Sequence, residues 1–133
     1  MGSRAADPSV IGQPGSRDRI PTPAAVLDLE AFDRNVARMA GRAKAAGLAL
    51  RPHAKSHKCS ALAHRQIEAG AVGICCAKLA EAEAMAAAGV GAILVTSPIA
   101  GAAAAERAAR LAQEVADFRI VIDHADGAAE LGL

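Results

Sequence analysis

The sequence is poor in aromatic side chains. It contains no Trp and no Tyr, and its two Phe residues are Phe32 and Phe118. Alanine dominates the apolar fraction of 53%, so a core has to be built from small aliphatic side chains instead of aromatic anchors. With 133 residues and 22% charged residues, the chain has the material for one globular domain, and most of it is not intrinsically disordered.

A strong charge of one sign is also missing, since the formal net charge is +1. Binding to nucleic acid or to an acidic membrane surface depends on clustered Lys and Arg, so neither is expected as a partner. No apolar run approaches the roughly 20 residues that span a bilayer, and the first residues lack the apolar stretch of a signal peptide. We therefore expect a cytoplasmic protein.

Cysteine is scarce, and its arrangement does not suit disulfides. Cys59, Cys75 and Cys76 make an odd number that includes an adjacent pair. Reduced thiols are typical of the cytosol. Cys75 and Cys76 end a predicted strand, where we expect them to be small buried hydrophobes and not catalytic groups.

The chain divides by composition near residue 21. Residues 1–21 are rich in Gly, Pro, Ser, Asp and Arg without apolar periodicity, which predicts a flexible leader. Residues 22–133 form the predicted folded domain. It begins with a short extended stretch, after which Asp28 is placed to cap a helix that ends at Gly47.

After Gly47, short apolar runs alternate with alanine-rich helices, as in a parallel sheet with crossover helices. The predicted strands are 48–55, 71–76, 92–96 and 118–122, and the predicted helices are 61–69, 79–88 and 102–115.

These repeats predict an α/β fold, a partial TIM-like (β/α)8 barrel of about four βα units preceded by the leader and one helix. About 250 residues normally close such a barrel, and an apolar strand at 120–122 would leave an open edge. We therefore expect this chain to be a truncated or partial sequence. An open flavodoxin-like sheet is the structural alternative.

Residues 51–58, Arg-Pro-His-Ala-Lys-Ser-His-Lys, end the first predicted strand, and active sites of barrels lie at the carboxyl ends of strands. Period-2 alternation places Arg51, His53 and Lys55 on one face. A lysine amine attacks a carbonyl only when it is neutral, and desolvation with neighbouring cations such as Arg51 and Lys58 favours that form. The segment thus predicts Schiff-base chemistry at Lys55.

Interpretations of the polar residues other than a Schiff-base site remain open. The segment could be a solvated basic strand end, and His53 with His57 could ligate zinc, although no matching ligand cluster follows. Glu81 and Glu83 suit the positive end of a helix dipole. Asp123 and His124 could reach the active face, but Asp123 could equally cap the helix that begins at Ala125.

Three ordered motifs resemble one known family. They are Thr-Pro-Ala-Ala-Val-Leu-Asp-Leu-Glu at 22–30, the segment 51–58, and Val-Gly-Ile-Cys-Cys-Ala-Lys-Leu-Ala-Glu-Ala-Glu at 72–83. Together they are similar to the D-threonine aldolase and D-serine dehydratase family, which belongs with alanine racemase to the fold-type III pyridoxal-phosphate enzymes. The resemblance covers about residues 20–133.

The resemblance implies a pyridoxal-phosphate-dependent lyase that acts on β-hydroxy-D-amino acids by retro-aldol cleavage or by elimination. It places the catalytic, cofactor-carrying lysine on Lys55, and Arg51, His53 and His57 are the other predicted cofactor-binding residues. A divalent metal, Zn or Mn, is implied for the full-length enzyme, with ligands beyond this chain, so no metal ligand is predicted here. The resemblance also implies a homodimer when the protein is full length.

Three alternative functions remain at this point. One is an amino-acid racemase of the alanine racemase class, although its cofactor strand reads differently from residues 51–58. The second is a non-catalytic pyridoxal-phosphate-binding protein, and the third is a fragment without activity of its own.

Overall fold

The computed structural model describes Ser9 and residues 12–132. The chain separates into two compact units, residues 1–33 and 34–133. In the first unit, Ser16–Arg19 form a single 3-10 turn, and none of residues 12–28 is buried. Residues 1–8, 10 and 11 of the predicted leader lie outside the described residues.

Helix α1, Leu29–Ala45, begins and ends as the sequence predicts. Asp28 Oδ1 accepts the backbone N–H of Ala31 at 2.9 Å, which is the N-cap bond. At the other end Gly47 has a φ of 65°, and the N–H of Leu48 donates to the carbonyl of Ala43 at 2.9 Å. This six-to-one bond is a Schellman cap, whose left-handed residue glycine adopts at low cost.

The second unit contains a three-stranded parallel sheet in the order β1-β2-β3. Strand β1 is Ile74–Cys76, β2 is Ala92–Val95 and β3 is Asp117–Ile120. Ile74 pairs with Ile93, and Ile93 pairs with Phe118. The helices are α2, Ser60–Glu68; α3, Leu79–Ala87; α4, Ala102–Glu114; and α5, Ala125–Glu130.

The segment 48–55, which the sequence predicts as a strand, is not part of the sheet ladder. It runs beside β1, and Leu50 and Pro52 accept hydrogen bonds from Val72 and Cys75 at 2.9 and 2.7 Å, but only His53 forms a bridge, with Cys75. Pro52 has no N–H to donate, which interrupts the ladder. The chain then turns at Ala54–Ser56 into a 3-10 helix, so the strand prediction was wrong there.

One face of the sheet carries the hydrophobic core. The side chains of Ile74, Cys76, Ile93 and Val95 are fully buried against α3 and α4. Helix α3 contributes Leu79, Ala82 and Met85, and α4 contributes Ala105, Ala108 and Leu111. Alanine at these positions lets the helices approach the sheet closely, which is how a chain with few aromatics builds a packed core.

The alternate side chains of the strands point to the other face of the sheet. This open face carries Ala92, Leu94 and Cys75, with Asp117 and Arg119 on β3. The fourth predicted strand is shorter than expected, because β3 ends at Ile120 and leaves Val121 and Ile122 more than a third exposed.

Helix α5 has a different cap from the one considered in the sequence. The Nδ1 atom of His124, and not the carboxylate of Asp123, accepts the N–H of Asp126 at 3.2 Å. Within residues 12–132, no helix has both the length and the apolar character needed to cross a membrane.

Candidate functional site

Lys55 lies on a short turn beside the carboxyl end of β1. The turn is the 3-10 helix Ala54–Ser56, and it is closed by the N–H groups of His57 and Lys58, which donate to the carbonyl of Ala54 at 3.2 and 2.7 Å. Ala54 is buried whereas Lys55 is exposed. Among the described residues, no hydrogen bond or ion pair engages the Nζ atom of Lys55. The turn therefore presents an exposed primary amine without a partner among the described residues.

The imidazole of His53 connects this turn to the ends of two strands. Its Nδ1 accepts the backbone N–H of Lys55 at 3.2 Å, so a neutral ring carries its proton on Nε2. Nε2 lies 3.1 Å from Oγ1 of Thr96, which in turn donates to the carbonyl of Cys76 at 3.2 Å. With the proton on Nε2, the ring donates to Oγ1 of Thr96 and accepts from the N–H of Lys55, so each of the three hydrogen bonds has one donor and one acceptor.

The environment of His53 favours the neutral ring that these bonds require. Burial is the main cause that lowers the pKa of His53, and the positive charge of Lys55 adds to the effect, while Glu81 opposes it. Because His53 lacks a positive charge, it does not repel a cationic amine or a cationic ring beside it.

Arg51 lies on the same open face as His53 but reaches towards the other end of the sheet. Its Nη2 donates to Oδ2 of Asp117, the first residue of β3, at 2.7 Å. The guanidinium crosses Gly73, where an added Cβ would clash with Nη1 and would lie 2.5 Å from the carbonyl oxygen of Ala92. Glycine at position 73 is thus required mainly by the backbone of the neighbouring strand, and it also leaves room for the guanidinium of Arg51.

The structure therefore separates the polar residues that the sequence placed together. Arg51 belongs to the amino ends of the strands with Asp117, whereas His53 belongs to the carboxyl ends with Thr96. Lys58 is likewise paired, with its Nζ 3.3 Å from Oε1 of Glu81. The two cations that were expected to act on Lys55 are each engaged by a carboxylate.

His57 turns inward beside the turn. Its Nδ1 accepts the N–H of Cys59 at 3.1 Å, which leaves the proton of a neutral ring on Nε2. Nε2 is buried and, within the described residues, has no hydrogen-bond partner. A buried donor without a partner is costly, which marks His57 as a group with an unused hydrogen bond next to Lys55.

The two adjacent cysteines are buried, as the sequence predicts. Cys76 packs into the core, and burial raises its pKa to about 11. Cys75 points to the open face, where its thiol contacts the carbonyl of Arg51 at 3.4 Å, and burial raises its pKa as well. Neither is a ready thiolate at neutral pH, which fits a packing role.

Sequence reasoning missed three residues that organise this region. Thr96 was included only as the end of a strand, Asp117 was not considered, and Glu81 was assigned to the helix dipole alone. Each acts through a partner 23 to 66 residues away, which local patterns do not reveal. In residues 12–132 no group of three His, Cys, Asp or Glu side chains comes together as a metal site.

These groups fit a phosphorylated aldehyde such as pyridoxal phosphate. Lys55 offers an exposed amine that has no partner among the described residues. The Nδ1 of His53 accepts the N–H of Lys55, and His57, two residues further along, has a buried Nε2 without a partner. A primary amine is the nucleophile that covalent binding of an aldehyde requires.

Known proteins resemble the chain over most of its length. D-threonine aldolase of Arthrobacter sp. is 42% identical over 114 residues, covering 85% of this chain and 30% of the aldolase. 3-hydroxy-D-aspartate aldolase of Paracoccus denitrificans (strain Pd 1222) is 39% identical over 113 residues, covering 84% and 29%. The chain thus spans about 30% of the length of the curated relatives it matches.

Solved structures also resemble the chain. The crystal structure of D-threonine aldolase from Filomicrobium marinum has a TM-score of 0.82 at 45% identity, covering 84% of this chain and 30% of that one. D-threo-3-hydroxyaspartate dehydratase from Delftia sp. HT23 has a TM-score of 0.77 at 38% identity, covering 84% and 29%. Residues 27–132 match the family described as the alanine racemase N-terminal domain, and the chain belongs to that family.

Proposed function

We propose that this chain provides the cofactor lysine of a pyridoxal-phosphate-dependent lyase that acts on β-hydroxy-D-amino acids. The observation that carries the proposal is the unpartnered, exposed amine of Lys55 on a turn held at the carboxyl end of β1. Relatives that are aldolases and dehydratases of 3-hydroxy-D-aspartate and D-threonine support the substrate class.

Lys55 has two tasks in this proposal. Its Nζ would hold the cofactor through the aldehyde carbon, with water as the leaving group. With substrate bound, the same Nζ would accept or return a proton at the substrate. The pyridine ring supplies the electron sink for bond cleavage when it is bound.

His53 and His57 support this chemistry from the two sides of the turn. His53 anchors the N–H of Lys55 and is itself fixed by Thr96. His57 offers its buried Nε2 as a donor to a cofactor oxygen. Arg51 was predicted to bind the cofactor, but its pairing with Asp117 at the amino ends of the strands favours a structural role.

We further propose a fold, a metal, an oligomeric state and a location for the protein. The three parallel strands and the extended segment beside β1 fit the first part of a (β/α)8 barrel, with residues 22–133 as one domain and residues 1–21 as its leader. A divalent metal, Zn or Mn, would be held by residues outside this chain. A homodimer and a cytoplasmic location complete the proposal.

Borohydride trapping tests the proposal directly. The purified chain is mixed with pyridoxal phosphate, reduced, and mapped by peptide mass spectrometry. Its four lysines are Lys44, Lys55, Lys58 and Lys78, so a specific site is readily distinguished from random labelling. We expect one adduct at Lys55, lost in Lys55→Ala and retained in the control Lys44→Ala.

Equal labelling of all four lysines, or labelling that survives Lys55→Ala, would contradict the proposal. With a specific adduct in hand, a longer chain that includes the rest of the protein is assayed with D-threonine, D-serine and 3-hydroxy-D-aspartate. Release of glycine identifies an aldolase, and release of ammonia identifies a dehydratase. Racemisation without either product would favour the alanine racemase class.

A further inference from the structure

The turn that carries Lys55 ends in a residue with an unusual backbone conformation. Lys58 has a φ of 49°, alone among the non-glycine residues that the structure describes. Its N–H closes the turn by donating to the carbonyl of Ala54 at 2.7 Å. A side chain with a Cβ atom rarely adopts this left-handed conformation, so another interaction must compensate for it.

Glu81, in the first turn of α3, provides that interaction. Its Oε1 lies 3.3 Å from Nζ of Lys58, and its Oε2 accepts the N–H of Ala77 at 2.8 Å. The side chain of Glu81 is only 15% exposed. Ala77 directly follows β1, so the carboxylate is fixed to the end of that strand and forms a rigid anchor for Lys58.

We propose that Glu81 is a positioning residue for Lys55. By holding Lys58 in its left-handed conformation, it keeps the turn from Ala54 to Lys58 closed and fixes the direction in which the amine of Lys55 points. The inference rests on the proposed function, because it concerns the reactivity of the cofactor lysine. Glu81 acts through Lys58 and contacts no reacting atom.

A second ion pair on the same helix provides a matched control. Glu83 accepts two hydrogen bonds from Arg107 of α4, both at 2.7 Å. This pair joins two helices and has no contact with the turn. If any ion pair of α3 affected Lys55 merely by stabilising the fold, Glu83→Gln and Glu81→Gln would have similar effects.

The test is a double-mutant cycle on the rate of borohydride-trapped labelling at Lys55. The variants are Glu81→Gln, Lys58→Gly, the double variant, and Glu83→Gln. Gln at position 81 can still accept the N–H of Ala77, so only the charge is removed. Gly at position 58 adopts a φ of 49° without strain and no longer needs an anchor.

We expect Glu81→Gln to lower the labelling rate about twofold to fivefold in the parent background, the effect of an ion pair whose Lys58 side chain is 68% exposed. The same substitution should have no further effect in the Lys58→Gly background, since the coupled partner is gone. Glu83→Gln should label at the parent rate.

Equal effects of Glu81→Gln in both backgrounds, or no effect in the parent, would overturn the inference about Glu81. Specific labelling at Lys55 in the parent would still support the proposed function. Failure of the parent to label at Lys55 would remove both. A readout without cofactor is hydrogen exchange of the Lys58 amide, which should be about threefold faster in Glu81→Gln than in Glu83→Gln. Equal exchange would also count against Glu81.

Discussion

Oγ1 of Thr96 lies 3.1 Å from Nε2 of His53, across 43 residues of sequence. The same hydroxyl donates to the carbonyl of Cys76, and Nδ1 of His53 accepts the N–H of Lys55. One threonine hydroxyl thus joins the ends of β1 and β2 to the turn that presents the lysine.

Thr96→Val is expected to destabilise the fold by about 1–3 kcal/mol, because it leaves Nε2 of His53 without its partner while keeping the side-chain shape. The carbonyl of Cys76 keeps the backbone N–H of residue 96, 2.9 Å away, as a donor. Urea denaturation measures the change. Ser97→Ala removes an exposed hydroxyl from the next residue and should alter stability by less than about 0.5 kcal/mol. Equal costs for the two variants would show that the Thr96 bonds contribute nothing.

Gly73→Ala is expected to cost about 2–4 kcal/mol, because the added Cβ meets both the Arg51 guanidinium and backbone, at a φ that side chains rarely adopt. The position has a φ of 153°, and the carbonyl oxygen of Ala92 would lie 2.5 Å away. The control is Gly91→Ala, where nothing lies within 4 Å of the new Cβ. A midpoint of urea unfolding unchanged by Gly73→Ala would contradict the close approach of the Ala92 backbone.

Leu111→Ala is expected to destabilise the fold by about 2–5 kcal/mol, because it leaves a cavity under α4 in a core that has no large aromatic side chain to fill it. Leu111 is 2% exposed, whereas Val26 is 71% exposed. Val26→Ala should therefore be nearly neutral in the same urea experiment. A small effect of Leu111→Ala would show that neighbouring alanine-rich helices collapse into the space.

The Glu83 carboxylate predicts a specific acid sensitivity. Its hydrogen bonds from Arg107 lower the pKa of Glu83 below the ordinary value of 4.5. A carboxylate with a lowered folded-state pKa stabilises the fold above its unfolded pKa, and this contribution is lost as pH falls through the folded-state value. The parent should therefore be more stable than Glu83→Gln at about pH 7, and the difference should shrink as the pH falls below 4.5.

Urea midpoints of the parent and Glu83→Gln across that range measure the effect. The control is Glu106→Gln on α4, since Glu106 has no hydrogen bond or ion pair among the described residues. At about pH 7 this variant should differ from the parent by less than about 0.5 kcal/mol. A difference for Glu83→Gln that does not change with pH would indicate that Arg107 does not hold the carboxylate in solution.

Local signals in the sequence were sufficient for most of the secondary structure. Asp28 and Gly47 mark the ends of α1 through bonds made within a few residues. The segment 48–55 was predicted incorrectly because apolar alternation does not report which backbone groups pair. Pro52 interrupts the ladder there, and the chain turns before Lys55.

The candidate site was only partly predictable for a similar reason. The motif at residues 51–58 singled out Lys55 and His53, and in the structure the imidazole Nδ1 of His53 accepts the backbone N–H of Lys55. It also suggested that Arg51 shares their site, whereas Arg51 pairs with Asp117, 66 residues away. Pairing over such a distance depends on the register of three strands, and no spacing in the sequence encodes that register.

The contacts of Arg51 constrain how related chains can diverge. Its guanidinium passes Gly73, next to Ala92, and pairs with Asp117. Loss of the acid at 117 leaves a mostly buried cation unpaired, so positions 51 and 117 have to be exchanged together. Gly73 is needed in addition by the carbonyl of Ala92, which does not depend on Arg51. Among homologues, an Arg at 51 should accordingly occur together with an acid at 117, whereas Gly at 73 should remain even where both are replaced.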